Sequence, residues 1–190
     1  MVLEEETSVV IRLGKDLSNN ELNIINDYRK KEFNSQSLIN PQPDNEHWKK
    51  KFFLLKDKKG FLLAFARLHE TEVEFKDKRF PVLGIATLVA VKKGYGFGKH
   101  LMIYMKKYIQ DTGITGLGYC NKKLTEYYRR IGFGIIEDGT LKTLYRDTEG
   151  KHHHDNWGGG DAIYVEGKDN LIKEILANQS ENIFIFRPHW

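Results

Sequence analysis

The segment Lys93-Gly94-Tyr95-Gly96-Phe97-Gly98 restricts the fold more than any other stretch, because it separates an apolar run at 80–91 from an amphipathic one. Downstream of it, Leu101, Met102, Met105, Tyr108 and Ile109 fall at the i, i+1, i+4, i+7, i+8 spacing of a helix with one buried face. Glycines at every second position let backbone N–H groups approach an anion at the positive end of that helix. A tight glycine turn with no ligand is the plainer reading of the same residues. Other phosphate motifs fit worse. The dinucleotide fingerprint needs G-x-G-x-x-G where this chain has G-x-G-x-G, and a P-loop needs glycine where Lys93 stands and a hydroxyl where His100 stands.

The rest of the chain alternates strands and helices. Residues 9–13 read as a strand, and Ser18 followed three residues later by Glu21 is the capping-box signature of a helix carrying Leu22, Ile25 and Tyr28. Residues 52–55, the turn Lys58-Lys59-Gly60 and residues 61–68 predict a hairpin, with 80–91 as the next strand. A short strand at 114–119 leads to a second amphipathic helix, with Leu124, Tyr127, Tyr128 and Ile131 on one stripe, and then to an extended segment at 133–136. The polar, glycine-rich stretch 148–160 predicts a loop. Around it lie strands at 141–145, 162–165 and 183–186 and a short helix marked by Leu171, Ile172, Ile175 and Leu176. This alternation predicts an α/β (α+β) fold, a mixed sheet with helices on its faces. One domain over 1–190 is expected, with a core at 1–147 and a strand-helix-strand extension at 148–190.

Composition excludes several function classes. The 190 residues are 40% hydrophobic and 12% aromatic, enough for one substantial core. No apolar run approaches the ~18 residues of a membrane helix, and the acidic start, MVLEEETSVV, lacks the basic flank of a signal peptide. Cys120 is the single cysteine, so an internal disulfide and a four-cysteine zinc site are both excluded, and a reducing, cytoplasmic setting is expected. It is read as a small buried hydrophobe and not as a nucleophile. The net charge of +4 comes from scattered doublets interleaved with acids, so neither a nucleic-acid nor a membrane partner is expected. His152, His153, His154 and Asp155 offer imidazoles and a carboxylate, but neighbours in a glycine-rich loop do not preorganise a tetrahedral site, and no metal is expected.

Two motifs in order resemble the GNAT superfamily of N-acetyltransferases. Lys93, Gly96 and Gly98 fill the acetyl-CoA loop [RQ]-x-x-G-x-[GA], with lysine where the family has arginine or glutamine. Asn121, Tyr128, Gly132 and Phe133 fill N-x(6)-Y-x-x-x-G-F. The resemblance implies a mostly antiparallel GNAT-type sheet and acetyl-CoA as co-substrate. It implies that Leu88, Val89, Ala90 and Val91 pair with the pantetheine arm, that Lys93, Gly94, Gly96, Phe97, Gly98 and Lys99 cradle the pyrophosphate, and that Asn121 contacts the cofactor. Tyr128 matches the family tyrosine that protonates the departing thiolate.

The wider pattern is most similar to the aminoglycoside 2'-N-acetyltransferase branch. Asp44-Asn45-Glu46-His47 matches a D-x-E-H segment, Gly60 and Ala64 fit the hairpin, Val89-Ala90-Val91 ends the cofactor strand, and the chain closes on Trp190. Acidic places of that branch are taken here by Thr87, Gly159, Gly160 and Pro188, which disfavours a polycationic acceptor. The extension would pack on or near the substrate side.

Direct attack needs a neutral amine, and an alkyl amine of pKa ~10.4 is only about 0.04% neutral at pH 7. Base candidates are Glu46, His47 and the carboxylate of Trp190, with Asp44, Thr87 and Trp190 on the substrate side. Glu70, Glu72 and Glu74 alternate on an extended segment and read as a solvated face. The expected function is acetyl transfer from acetyl-CoA to a primary amine, in a small molecule or a peptide. The alternative is a coenzyme A-binding module without catalysis, which Thr87 favours; whether the chain forms a homodimer stays open.

Overall fold

The computed structural model describes residues 6–35, 37–40, 42–147, 149–154 and 159–186. Asp155, Pro188 and Trp190 lie outside them. The elements are β1 (Thr7–Leu13), α1 (Asn19–Phe33), β2 (Lys51–Asp57), β3 (Leu62–Phe75), β4 (Lys78–Ala90), α2 (Phe97–Thr112), β5 (Thr115–Asn121), α3 (Thr125–Arg130), β6 (Gly134–Ile136), α4 (Gly139–Lys142), β7 (Thr143–Arg146), β8 (His152–His154), β9 (Gly160–Val165), α5 (Leu171–Ala177) and β10 (Ile183–Ile185). This is the expected fold class, a mixed and mostly antiparallel sheet flanked by helices. The chain divides into two compact units, residues 1–69 with 87–105 and residues 70–86 with 106–190.

In the first unit, β2 pairs antiparallel with both β1 and β3. The hairpin turn is tied by Asp57, whose Oδ1 accepts from the N–H groups of Lys59 and Phe61, each at 2.9 Å. Leu22 and Ile25 of α1 bury against Phe52, Leu54, Leu62, Phe65 and Val89. The helix begins as the sequence predicts. Ser18 caps it, Glu21 N–H donates to Ser18 Oγ at 3.3 Å, and Ser18 N–H returns a bond to Glu21 Oε2 at 2.6 Å. Asn34 ends it in the left-handed conformation at φ 51°.

In the second unit, β5 runs parallel to β4 and antiparallel to β9, which also pairs with β6. There β10 lies between β3 and β7, with β8 outside β7. Apolar residues from β3, β4, β5, β9 and β10 meet Leu171, Ile172 and Ile175 of α5 in one core. The segment after 148 is therefore woven into the sheet through β9 and β10.

Four local expectations change. The β3–β4 hairpin is longer than the apolar runs indicate, because Lys76 and Asp77, at φ 49° and 58°, form a two-residue turn with no glycine to announce it. Glu70 and Glu72 are exposed, but Glu74 is 9% exposed: β10 pairs beside it and Arg146 of β7 reaches its carboxylate at 3.0 Å. The histidine run is strand β8 and not a loop; His153 bonds Asp147 at 2.7 Å and the His152 ring lies 4.6 Å from that of Phe184. Leu124 leaves the α3 stripe, 47% exposed, because a 3-10 turn at Lys122–Leu124 precedes the helix.

Glu21 joins cap, helix and sheet, since its buried carboxylate also meets Lys56 at 2.6 Å and Arg12 at 3.2 Å. Burial alone raises its pKa, but the bonds from Lys56 and Ser18 outweigh that and hold it below the usual carboxylate value. A depressed folded pKa means stability present in full above the unfolded value of ~4.3 and lost as pH falls through the folded one. Glu21→Gln is therefore expected to lower stability at pH 7 by about 1–3 kcal/mol and to flatten the acid limb of a denaturation-versus-pH curve below pH ~5.

Candidate functional site

Strand β4 changes character at Thr87. Its parallel ladder with β5 runs from Val82↔Thr115 to Ile85↔Gly118, and Thr87 then takes φ 57°. A β-branched residue there is an outlier held at a cost of about 1–3 kcal/mol. Past it, Val91 N–H donates to Leu63 O at 2.9 Å, so Val91 faces β3. Strand alternation then sends the N–H and C=O groups of Leu88 and Ala90 to the opposite edge, while Val89 faces β3 like Val91. The Val91 carbonyl is also engaged, accepting from Tyr28 Oη at 3.0 Å. Of the four residues expected along a pantetheine arm, Leu88 and Ala90 carry backbone groups directed outward.

The glycine loop follows at once. Gly94 and Gly96 stand at φ 87° and 78°, and a Cβ at either would meet nothing within 4 Å. Conformation and not crowding selects glycine here. His100 N–H donates to Gly96 O at 3.0 Å and closes the first turn of α2, so Gly96 caps the helix and the N–H groups of Phe97, Gly98 and Lys99 have no partner within it. Three convergent donors at the positive end of a 16-residue helix form an anion cradle with open space over the preceding glycines. The pyrophosphate of a coenzyme A fits that donor set. Lys93 is directed elsewhere, its ammonium bonding Glu32 at 2.8 Å. Tyr95 stacks on Phe97 at 5.9 Å, with Lys92 Nζ 4.3 Å from the Tyr95 ring centroid.

The D-x-E-H segment is a turn held against the end of β1. Gly14 N–H donates to Lys50 O at 3.0 Å and Lys15 N–H to Trp48 O at 3.1 Å. Glycine is required at 14, because a Cβ would lie 2.0 Å from His47 O. The turn buries His47 to 1% exposure among Arg29, Lys50 and Arg67. Arg67 Nη1 donates to His47 Nδ1 at 2.8 Å, and Nε2 lies 3.4 Å from both Arg29 Nη2 and Glu46 Oε1. Burial first, then the charges of Arg67, Lys50 and Arg29, push the His47 pKa down to about 2. Its ring thus anchors an arginine and takes up no proton at neutral pH. Glu46 keeps 55% of its side chain exposed and bonds Lys50 at 3.1 Å. Burial raises its pKa, but Lys50, Arg67 and Arg29 together bring it below the usual value. Asp44 is exposed.

In the second unit, Asn121 Oδ1 accepts from Lys123 N–H at 3.0 Å and opens the turn before α3. Tyr128 is 6% exposed, with the rings of Tyr127 and Phe133 at 5.1 and 5.8 Å. Burial, then the Cys120 thiol and Tyr127, raise its phenol above the ordinary value. Cys120 is buried too, its thiol pushed up to about 11 chiefly by burial, and it stays protonated. Among the described residues, no group of three or more histidine, cysteine or acidic side chains is placed to hold a metal.

Arg29 and Arg67 escaped the sequence reading, although each carries a signal. Arg29 continues the Leu22–Ile25 stripe of α1, and Arg67 interrupts the apolar strand LLAFARL. Charges at core positions need a partner or a purpose.

The fold is shared with solved structures. ElaA from Escherichia coli superposes with TM-score 0.57 at 15% identity over 85% of this chain and 100% of its own. An acyl-CoA N-acyltransferase from Pseudomonas aeruginosa gives 0.54 at 16% identity, covering 84% and 99%. TofI, solved in a ternary complex with an inhibitor and MTA, gives 0.54 at 12% identity, covering 84% and 91%. At these identities the likeness is one of fold. No protein-family model matches the chain, and no curated protein matches it in sequence. Among the described residues, no helix is long and apolar enough to cross a membrane.

Because the His47 pKa is depressed while an unfolded histidine titrates near 6.5, the unfolded state binds the extra proton and stability falls as pH drops below about 6.5. Imidazole NMR is expected to find one histidine whose resonances do not move between pH 8 and pH 4 and which His47→Gln removes. Titration of that resonance near pH 6.5 would contradict the geometry.

Proposed function

We propose that the protein is an N-acetyltransferase of the GNAT type that moves the acetyl group of acetyl-CoA to a primary amine. The observation that carries this reading is the sequence of outward-facing backbone at Leu88 and Ala90, left-handed Gly94 and Gly96, and unpaired N–H groups at the head of α2. A fold shared with an acyl-CoA N-acyltransferase supports it.

Acetyl-CoA supplies an activated thioester carbonyl. The N–H groups of Phe97, Gly98 and Lys99 bind its pyrophosphate, while Leu88 and Ala90 hold the pantetheine amides and Asn121 adds a contact. The neutral amine nitrogen attacks the carbonyl carbon; the C–N bond forms, the C–S bond breaks, sulfur keeps the electron pair and nitrogen sheds a proton. Tyr128 is assigned to the leaving thiolate. With its pKa above ~10, it stays protonated at neutral pH but yields its proton reluctantly to a thiolate whose conjugate acid is near ~8.5. It therefore acts chiefly as a hydrogen-bond donor to the developing charge. Glu46 is the proposed base, weakened by its lowered pKa, and His47 positions Arg67. Turnover then follows the supply of neutral amine, and kcat/KM is expected to rise about tenfold per pH unit up to the acceptor's own pKa.

The acceptor is a small-molecule or peptide amine, with a cytoplasmic setting and no nucleic-acid or membrane partner. The likeness to the aminoglycoside branch covers the D-x-E-H turn and the cofactor strand, but Thr87, Gly159 and Gly160 replace its acidic places, so polycationic acceptors are expected to be poor.

The test is release of free coenzyme A thiol across a panel of primary amines, aminoglycosides included. Turnover of some amine supports the assignment; coenzyme A affinity without turnover of any would point to a binding module. Gly98→Asp places a carboxylate in the cradle and is expected to abolish the thermal shift given by acetyl-CoA while leaving the protein folded. Tyr128→Phe is expected to lower turnover by on the order of 10² with acetyl-CoA affinity nearly unchanged, whereas Tyr127→Phe costs little.

A further inference from the structure

Arg29 and Arg67 are 7% and 6% exposed, and neither touches a carboxylate among the described residues. Arg29 donates to Ser37 O at 2.8 Å and Ser37 Oγ at 3.2 Å, both neutral acceptors. Arg67 donates to the neutral His47 ring at 2.8 Å, and its Nε is buried with no hydrogen-bond partner. Glu46, the acid beside them, bonds Lys50 through Oε2 at 3.1 Å, keeps Oε1 3.4 Å from His47 Nε2, and acts on both guanidiniums through its charge alone. Two buried guanidiniums thus share a small region with neutral contacts and one orphaned donor. Buried charges are paired or they neutralise, and a guanidinium does not lose its proton at neutral pH, the Arg67 value being lowered only to about 10 by burial and by Arg29, with Glu46 opposing them. Glu46 sets one negative charge against the three cations Arg29, Lys50 and Arg67, and the planar donor fork suits a further carboxylate. Glu46, more than half exposed, marks where the cluster meets solvent.

We propose that Arg29 and Arg67 form a binding site for a small carboxylate, and that the acetyl acceptor is an amine that carries one. The second half rests on the acetyltransferase reading; the first does not. His47 is a positioning residue in this site, its ring fixing the Arg67 fork, and the excess of Arg29, Lys50 and Arg67 over the single charge of Glu46 repels polycations.

Titration calorimetry of the full chain, without acetyl-CoA, reads the site directly, using succinate, sulfate and inorganic phosphate at matched ionic strength. Saturable succinate binding at least tenfold tighter than sulfate or phosphate is expected, weakened tenfold or more in Arg29→Lys and Arg67→Lys, which keep the charge but lose the fork. Absent saturable binding, sulfate or phosphate binding as tight as succinate, or unchanged affinity in both variants overturns it. Arg67→Met guards against a purely scaffolding role: succinate binding should vanish while the ligand-free thermal midpoint holds or rises, because an unpaired buried charge is gone. A lowered midpoint with binding intact would make Arg67 a scaffold residue and end the proposal. Turnover then tests the acceptor, with KM for β-alanine expected at least tenfold below that for β-alaninamide and the gap closing in Arg67→Lys. Equal KM values would refute the acceptor class. Turnover of no amine at all would sink the acetyltransferase reading while leaving the carboxylate titration to stand or fall by itself.

Discussion

The left-handed backbone at Thr87 governs what β4 can offer a ligand. Up to Ile85 the strand gives one edge to β5, and beyond Thr87 the outward groups belong to Leu88 and Ala90 while Val91 stays tied to Leu63 and Tyr28. A β-branched residue is held in such a conformation only when its surroundings over-determine it. Val89 supplies part of that restraint, 4% exposed in the core beneath α1. The strand then delivers its chain into a loop whose two left-handed glycines present the first turn of α2. Backbone N–H groups, and not side-chain charge, make up the proposed cradle, so the pairing of Lys93 with Glu32 leaves it in place.

Electrostatics on the D-x-E-H turn point the other way from the usual picture of a catalytic histidine. A ring closed in by two arginines and a lysine cannot hold a proton, so His47 contributes as a neutral acceptor. The same cations keep Glu46 ionised and weakly basic. Positive charge beside the proposed acceptor path lowers the probability that a substrate ammonium lingers there and favours an acceptor that brings its own negative charge.

Elements with strong local signals were legible in the sequence. The Ser18–Glu21 cap, the Leu101–Ile109 stripe and the glycine loop each rest on short-range chemistry, and each is found where spacing places it. What was not legible depends on partners distant in sequence. Lys76 and Asp77 turn with positive φ although neither is glycine, because two long strands dictate the connection. Glu74 reads as solvated until β10 pairs beside it and β7 brings Arg146. The histidines become a strand only because β7 offers an edge. Arg29 and Arg67 stand 38 positions apart in the numbering and come together on opposite nitrogens of the His47 ring; each was a visible anomaly, but their meeting was not. Asn121 and Tyr128 enter the proposed site through one motif resemblance, while the neutral state of His47 needed the positions of three cations.

The central claim is that the loop from Gly94 to Lys99 binds a pyrophosphate, and comparing coenzyme A with pantetheine, which lacks that group, tests it most directly. Calorimetric titration of the unmodified chain is predicted to give a coenzyme A dissociation constant lower by on the order of 10² than that of pantetheine, the scale of one or two charge-assisted hydrogen bonds. That advantage should shrink as salt is raised. Equal affinities for the two molecules, or no measurable binding of either at millimolar concentration, would contradict the account.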